Sequence, residues 1–317
     1  MLHQKLKTAN SKLQTEKMNA TKTHELTGHS NPIFTLELSQ KPGILFSGGN
    51  DKGLVEWSLK EHNFIKVMFP VPASVYAVHG PVGFPLMFVG LRTGDVIVFD
   101  FIAQKITKVL KCHQKPIFDI RSVKNKAELL VASEDGTVSI WDLRTLNLLH
   151  QLKVSHDTIR AIAISPNEKQ VAFGCRDNSV KVYDLSDYSP LTTLSGHTMA
   201  VFTLQFSPDG SYLISGSRDA QLKVWNAASF ELIKNIPAHM FAVNHIAFHP
   251  TRPYFATASM DKSIKIWGSD DFKLYKIISR EKGYDSHLLS VNKLVWNGDE
   301  LISTSDDKRI ICWQIEF

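Results

Sequence analysis

The 317-residue chain has the composition of an ordinary globular protein, with 43% hydrophobic and 21% charged residues, and no apolar run of about 18 residues that could span a bilayer. The first twenty residues are polar and rich in lysine, which argues against a secretory signal peptide and predicts an intracellular, cytoplasmic protein. The net charge of +5 is spread singly along the chain, so it gives only weak support for a nucleic-acid partner.

The predicted elements begin with a polar N-terminal segment. Residues 1–18 are predicted to form a polar, mobile tail, and residues 19–317 a single repeat domain. The segment that ends in the pair Gly28-His29 is interpreted as a strand leading into a turn. Because the chain ends at Phe317 directly after the third strand of its last repeat, this N-terminal strand is expected to complete that unit.

The rest of the chain repeats one pattern at a nearly constant interval. An aromatic residue followed by a small or polar one recurs at spacings of 42 residues, five times, and then 46. Six units have an aspartate six residues before the aromatic residue and a histidine 26 to 28 residues before it; the second unit has Thr93 in place of the aspartate and lacks the histidine. The aromatic residues are Trp57, Phe99, Trp141, Tyr183, Trp225, Trp267 and Trp313. This periodicity predicts seven repeat units.

Each unit is predicted to contain four short strands. The fifth unit shows them best, as the segments VFTLQFS, SYLISGS, QLKVWN and ELIKNI, with a tight turn at Ser207-Pro208-Asp209-Gly210 after the first. Helical repeats have a similar length, but the alternation in LKVW and IKIW and the β-branched content favour strands. The predicted class is therefore all-β, with four-stranded antiparallel units.

The pairs Gly28-His29, Gly196-His197 and Trp141-Asp142, together with the Ser-x-Asp turns, resemble the WD-repeat family. The resemblance covers about residues 19–317 and seven registered units, without identifying a particular member. It implies a seven-bladed β-propeller whose last blade is closed by the N-terminal strand. It also implies that the face on which the loops before the first strand open, the top face, is the usual recognition surface.

Four units carry histidine, serine, aspartate and tryptophan at matching positions. The sets are His113, Ser133, Asp135 and Trp141; His197, Ser217, Asp219 and Trp225; His239, Ser259, Asp261 and Trp267; and His287, Ser305, Asp307 and Trp313. A hydrolase triad uses the same residue types, but the repetition and the lack of a GxSxG elbow argue against catalysis. The resemblance implies buried hydrogen-bonded tetrads instead. The first unit has Gly49 at the serine position, the fourth has Cys175 and Tyr183, and the second lacks the set and is expected to be held by packing.

A partner-binding surface is predicted on the top face. The position five residues after each histidine, or its equivalent, is occupied on the first five blades by Phe34, Tyr76, Phe118, Arg160 and Phe202, and the position before the turn aspartate on three of them by Arg92, Arg176 and Arg218. Aromatic and arginine side chains are enriched in binding hot spots, so a groove for a peptide with acidic or aromatic groups is expected. The alternative is that the aromatic residues plug the channel while the arginines are solvated or pair with Glu134 and its neighbours.

The leading function is a non-catalytic scaffold for protein or peptide partners, either monomeric by itself or a subunit of a larger complex. The alternative is a nucleic-acid-associated protein that uses the arginine and aromatic patch. An enzyme is the least favoured class, because the only constellation of titratable groups is the repeated one. No cofactor, metal-ligand set or membrane partner is predicted. Residues 279–286 are expected to lengthen a top-face loop.

Overall fold

The computed structural model describes residues 18–317, whose regular structure is β-strand apart from one short 3₁₀ turn. The strands form seven sheets of four antiparallel strands each. The innermost strands contact one another in sequence, and the first contacts the last, so the sheets close into a ring around a channel. The prediction of a seven-bladed propeller is confirmed.

Blades 1 to 4 follow one another along the chain, and each begins with its innermost strand. Blade 1 comprises β2 (Ile33–Leu38), β3 (Ile44–Gly49), β4 (Gly53–Ser58) and β5 (Asn63–Pro70). Blade 2 comprises β6 (Val75–His79), β7 (Leu86–Leu91), β8 (Asp95–Asp100) and β9 (Lys105–Lys111). Blade 3 comprises β10 (Ile117–Val123), β11 (Glu128–Ser133), β12 (Thr137–Asp142) and β13 (Leu148–Lys153). Blade 4 comprises β14 (Ile159–Ile164), β15 (Gln170–Cys175), β16 (Val180–Asp184) and β17 (Pro190–Leu194).

Blades 5 to 7 complete the ring. Blade 5 comprises β18 (Val201–Phe206), β19 (Tyr212–Ser217), β20 (Gln221–Asn226) and β21 (Leu232–Pro237). Blade 6 comprises β22 (Val243–Phe248), β23 (Tyr254–Ser259), β24 (Ile264–Gly268) and β25 (Leu274–Ile278). Blade 7 comprises β26 (Val291–Asn297), β27 (Glu300–Ser305), β28 (Ile310–Glu316) and, as its outermost strand, β1 (Asn19–Leu26).

The ring is closed by pairing between the two ends of the described chain. Strand β1 pairs antiparallel with β28, from Asn19 opposite Glu316 to Leu26 opposite Ile310. The last blade thereby obtains its fourth strand and β28 is covered, as predicted. Residues 1–17 of the predicted tail lie outside the described residues. Met18, at the end of the predicted tail, is buried in the hydrophobic core of blades 6 and 7.

Glycines in the second strands let neighbouring blades approach closely. A Cβ atom added at Gly90 would lie 2.7 Å from a methyl carbon of Ile117, and one at Gly216 would lie 2.8 Å from a methyl carbon of Val243. Such distances are shorter than real carbon contacts, so these positions require glycine. Ile117 and Val243, which pack against these glycines, are the first residues of innermost strands and directly precede residues that line the top of the channel.

The extra residues between blades 6 and 7 form a loop between β25 and β26. It contains the 3₁₀ turn Arg280–Lys282, which ends at Gly283 with a φ of 86°. Tyr284 packs its ring against Trp313, and Asp285 forms an ion pair with Lys22 of β1. The loop therefore covers the junction with the closing strand. Within residues 18–317, no helix is long and apolar enough to cross a membrane.

Candidate binding site at the top of the channel

Buried hydrogen-bonded tetrads hold the top-face loops. In blade 5, Nδ1 of His197 lies 2.9 Å from a carboxylate oxygen of Asp219, and Nε2 lies 2.8 Å from the hydroxyl of Ser215. The indole Nε1 of Trp225 donates to the same hydroxyl at 2.9 Å. The network joins the loop before β18, the second and third strands and the turn between them, so it fixes the loop that leads into the channel.

The hydroxyl of each tetrad is not the serine that the sequence analysis predicted. The hydroxyls that bind both histidine and tryptophan are Ser139, Ser215, Thr257 and Ser303 in blades 3, 5, 6 and 7. The predicted Ser133, Ser217, Ser259 and Ser305 instead stand at the end of the second strand and accept the backbone N–H of the turn aspartate. Ser217, for example, also donates to the carbonyl of Met199.

The reason for this error lies in the period of a β-strand. Ser215 and Ser217 are two residues apart and so point to the same side of β19, but it is Ser215 whose hydroxyl accepts a hydrogen bond from the indole of Trp225. Blade 3 has Val131 at the corresponding position, and Ser139 of the third strand supplies the hydroxyl instead. Spacing along one strand therefore does not identify the bonded hydroxyl.

The two-residue offset between the predicted and the bonded hydroxyl also corrects the prediction for blade 1. Its tetrad is complete: the hydroxyl of Ser47 lies 2.7 Å from Nε2 of His29 and accepts from the indole of Trp57, while Nδ1 of His29 binds Asp51. Gly49 occupies the position that corresponds to Ser217, so it removes no hydroxyl from the network. Five blades, not four, carry the full network.

The two remaining blades replace the tetrad by aromatic packing. In blade 4 the rings of Phe173 and Tyr183 meet edge to face with centroids 5.5 Å apart, and Ser155 binds Asp177. In blade 2 the ring of Phe99 stacks on Phe69 of blade 1 with centroids 5.1 Å apart. The expectation that packing alone holds blade 2 stays a prediction.

The histidine and the hydroxyl of each tetrad are buried. The hydroxyl accepts the indole N–H of tryptophan and also bonds Nε2 of the histidine, whose Nδ1 bonds the aspartate. Burial lowers the pKa of His197 and of His239. Burial acts to raise the pKa of Asp135, but hydrogen bonds from His113 and Thr137 outweigh it and bring that pKa to about 2. The bonded hydroxyls are fully buried, so no substrate reaches them.

The second residue of each innermost strand lines the top of the channel. A β-bulge inserts this residue in every blade, because the first strand shifts register there against the second. These seven residues border a cavity of about 370 Å³ and are Phe34, Tyr76, Phe118, Arg160, Phe202, Asn244 and Asn292. The structure thus brings together the five predicted residues of the first five blades.

Those five side chains form a continuous band, which we call the aromatic arc: Phe34, Tyr76, Phe118, Arg160 and Phe202. Tyr76 meets Phe34 edge to face and stacks on Phe118, with centroids 5.2 and 5.6 Å apart. The guanidinium carbon of Arg160 lies 4.1 Å from the ring centre of Phe118 and 4.7 Å from that of Phe202. Arg160 is therefore held between two rings by cation–π contacts.

The other three predicted arginines lie outside the cavity. Arg92, Arg176 and Arg218 are exposed, and their backbone N–H groups bond to the loops before the innermost strands of blades 2, 4 and 5. Among the described residues, the acidic group nearest to them is Asp157, 3.9 Å from Arg176; none pairs with Glu134. They lie on the turns between the second and third strands of blades 2, 4 and 5.

A second set of top-face residues was not predicted from the sequence. Six large apolar side chains stand exposed on the top loops of blades 5 to 7, and we call them the apolar shelf: Met199, Met240, Phe241, Met260, Leu288 and Leu289. Met240 is 82% exposed and Phe241 60%. The signal in the sequence is the residue directly after the tetrad histidine. It is apolar in blades 6 and 7, as Met240 and Leu288, but polar in blades 1 and 3, as Ser30 and Gln114.

The repeat sequences match one known family. The family model described as WD domain, G-beta repeat matches residues 20–58, 104–142, 146–184, 188–226 and 230–268, together more than half of the chain. The chain belongs to the WD-repeat family. The matches leave out residues 59–103, which include the first three strands of blade 2, the blade without a tetrad, and residues 269–317, which include the first three strands of blade 7. No curated protein matches the chain.

Proposed function

We propose that this WD-repeat protein is a non-catalytic scaffold that binds a protein partner on its top face. The observation that carries the proposal is the apolar shelf, since six exposed apolar side chains on three successive blades are a costly surface to leave in water. The shelf lies on the same face as the aromatic arc, which supplies the side-chain types found in interface hot spots.

The channel and the shelf suit a polypeptide because they combine two kinds of contact. The shelf offers three unbranched, flexible methionine side chains, which adapt to another protein's surface, beside leucine and phenylalanine side chains. The aromatic arc and the cavity offer a rigid, concave point where one side chain can be anchored. A set of exposed apolar side chains beside a small pocket is expected of a protein interface more than of a small-molecule site.

The proposal is tested by affinity capture from the source cell with paired variants. The double change Met240→Ser and Phe241→Ser removes the most exposed part of the shelf and is expected to abolish capture of the partner. The matched control is Val82→Ser with Ile102→Ser, because these side chains are 65% and 80% exposed on loops at the opposite face. Equal capture by wild type and shelf variant, or equal loss in both variants, would reject the top face.

The same capture distinguishes the nucleic-acid alternative. A protein interface built on apolar contacts keeps its partner after nuclease treatment and at raised salt. Binding through Arg92, Arg176 and Arg218 to nucleic acid would be lost under both conditions. Loss of all captured material after nuclease treatment would contradict the proposed function.

A further inference from the structure

The gap between neighbouring blades is filled at four places by one side chain from the turn between the third and fourth strands. This side chain, which we call the junction residue, stands five positions after the aromatic residue of the repeat and is Leu146, Tyr188, Phe230 or Phe272 in blades 3 to 6. Its φ is positive in all four turns, between 54° and 62°. Each junction residue packs within a hydrophobic cluster shared with the preceding blade, so it is part of the contact between the two blades.

Two junction residues contact the first residue of the second strand in the blade before them. The ring of Phe272 meets that of Tyr212 edge to face, with centroids 5.3 Å apart. The hydroxyl of Tyr188 donates a hydrogen bond to Glu128. Tyr212 and Glu128 begin β19 and β11, so the two contacts occupy the same place in the repeat.

A lysine of the preceding blade adds a hydrogen bond to the same contact. It stands nine positions after the aromatic residue of its repeat, in the fourth strand. Nζ of Lys108 in β9 donates to the carbonyl of Leu146 at 2.6 Å, and Nζ of Lys234 in β21 donates to the carbonyl of Asp271 at 3.0 Å. These two junctions therefore combine an apolar side chain with a lysine that binds the backbone of the same turn.

The contact between blades 1 and 2 lacks both parts of this arrangement. The turn of blade 2 has a similar positive φ of 53°, but its junction position holds Gln104. Gln104 is exposed and donates to the carbonyl of Phe101 in its own turn at 2.5 Å. Lys66 of β5 occupies the lysine position, but within residues 18–317 it donates no hydrogen bond and has Glu56 3.8 Å away. Neither an apolar side chain nor a backbone acceptor is therefore supplied here.

An open groove remains between blades 1 and 2 at the face opposite the apolar shelf, and we call it the junction groove. Its volume of about 600 Å³ is within the range of ligand-binding pockets. Its lining includes Ile44, at the position of Tyr212 in blade 5, and the flexible side chains of Met68 and Met87. Between the corresponding loops of blades 5 and 6, where Phe272 is in place, the cavity has only about 290 Å³.

We propose that the junction groove binds a turn of a second protein partner, which inserts one leucine, tyrosine or phenylalanine side chain and accepts a hydrogen bond from Lys66 with a backbone carbonyl. The four filled junctions of the same chain show which side chains this place in the repeat accepts. The site goes beyond the proposed function, because it lies opposite the shelf and is filled independently of the top-face partner. Val82 and Ile102 do not line the groove, so the control variant for the shelf leaves it intact.

A protein turn fits the junction groove better than a fatty acid, the other ligand that combines an apolar body with a polar end. The carboxylate of Glu56 lines the groove 3.8 Å from Nζ of Lys66, so the charge of the lysine is already balanced. A second carboxylate would be repelled by Glu56, whereas a neutral carbonyl is not. The equivalent Lys108 and Lys234 also bind neutral carbonyls.

The direct test is an NMR titration of the full chain, labelled at the methionine methyl groups, with a capped peptide of residues 268–274, GSDDFKL, which carries the junction residue of blade 6. We expect saturating shifts of the Met68 and Met87 methyl signals, while those of the shelf methionines stay unchanged. The same peptide with Phe272→Ser should bind at least about tenfold more weakly, because it lacks the buried ring. Equal binding of the two peptides, or equal shifts of the shelf methionines, would overturn the proposal.

A variant of the junction position tests the groove from the side of the chain. Gln104→Phe should fill the groove, since Phe230 and Phe272 already occupy this position in other blades. We expect peptide binding at least about tenfold weaker and a higher urea midpoint of unfolding. The matched control Gln104→Ser leaves the groove open and should bind as wild type. Wild-type binding by Gln104→Phe would overturn the proposal; if that variant does not fold, the comparison of the two peptides on the wild-type chain decides.

Other occupants of the groove give different results. Octanoate that shifts the Met68 and Met87 signals at a lower concentration than the peptide would overturn the assignment to a protein turn. Shifts of these signals that grow with protein concentration without peptide would place a second copy of the chain in the groove and also overturn it. The shelf variant Met240→Ser with Phe241→Ser should bind the peptide as wild type. Failure of peptide binding with intact top-face capture therefore removes this site alone, whereas failure of capture alone removes the proposed function.

Discussion

The guanidinium of Arg160 is held between the rings of Phe118 and Phe202, with its carbon 4.1 Å and 4.7 Å from their centres. Three neighbouring blades thereby contribute one contact at the mouth of the channel. Burial lowers the pKa of Arg160, but arginine remains charged throughout the physiological range. The contact concentrates aromatic area and positive charge at the point where the channel opens to the top face.

Replacing the two rings separates their role in binding from their role in stability. Phe118→Ala with Phe202→Ala is expected to abolish partner capture and to lower the free energy of unfolding by about 1 to 2 kcal/mol, because both rings are only half-buried. Capture and urea unfolding of the same preparation measure both quantities. Full capture by the folded double variant would show that the aromatic arc is not part of the interface.

The displaced hydroxyl of the tetrad gives a sharp comparison within one strand. Ser215→Ala leaves the indole N–H of Trp225 and Nε2 of His197 without a partner, and should cost about 2 to 4 kcal/mol. Ser217→Ala breaks bonds to loop backbone and should cost about 1 kcal/mol. Urea unfolding of the two variants makes the comparison. If Ser217→Ala loses more stability than Ser215→Ala, then Ser217, the serine predicted from the sequence, is the hydroxyl of the tetrad.

The tryptophan of the tetrad and the arginine on the adjacent turn should behave in opposite ways. Trp225→Ala removes a buried side chain and should cost about 3 to 5 kcal/mol of stability. Arg218→Ala removes an exposed side chain with no ion-pair partner among the described residues, so it should leave the melting temperature unchanged within about 1 °C and alter only binding. Thermal unfolding followed by circular dichroism compares them, and a melting temperature for Arg218→Ala near that of Trp225→Ala would contradict the assignment.

Acid should weaken the propeller in two steps. The pKa of His197 and of His239 is lowered in the folded protein, so the unfolded chain binds more protons below about pH 6.5 and stability falls as the pH drops through that range. The pKa of Asp135 is about 2 when folded, so its contribution is present above about pH 4 and is lost as the pH falls towards 2. Urea midpoints at about pH 7.5, 5.5 and 3.5 should decrease in that order. A midpoint that is constant from pH 7.5 to 5.5 would show that the histidines are not held neutral.

The fold and the channel lining follow from sequence, because both depend on a fixed offset. The regular spacing of residues such as Trp141 and Trp225 predicts the number of blades. A constant number of residues after the tetrad histidine predicts that Phe118 and Phe202 line the channel. The hydroxyl was misplaced because two serines of one strand share a side. Exposure of the apolar shelf could not be predicted in this way, because it depends on how blades far apart in the chain pack together.

The central claim, that the top face binds a protein partner, is tested most directly by hydrogen exchange of the propeller with and without the captured partner. We predict slower exchange in the loops that carry the shelf, 239–243 and 287–291, and at the start of the strands that carry the aromatic arc. The loops at the opposite face around Val82 and Ile102 should exchange at unchanged rates. Protection confined to those opposite loops, with the shelf unchanged, would contradict it.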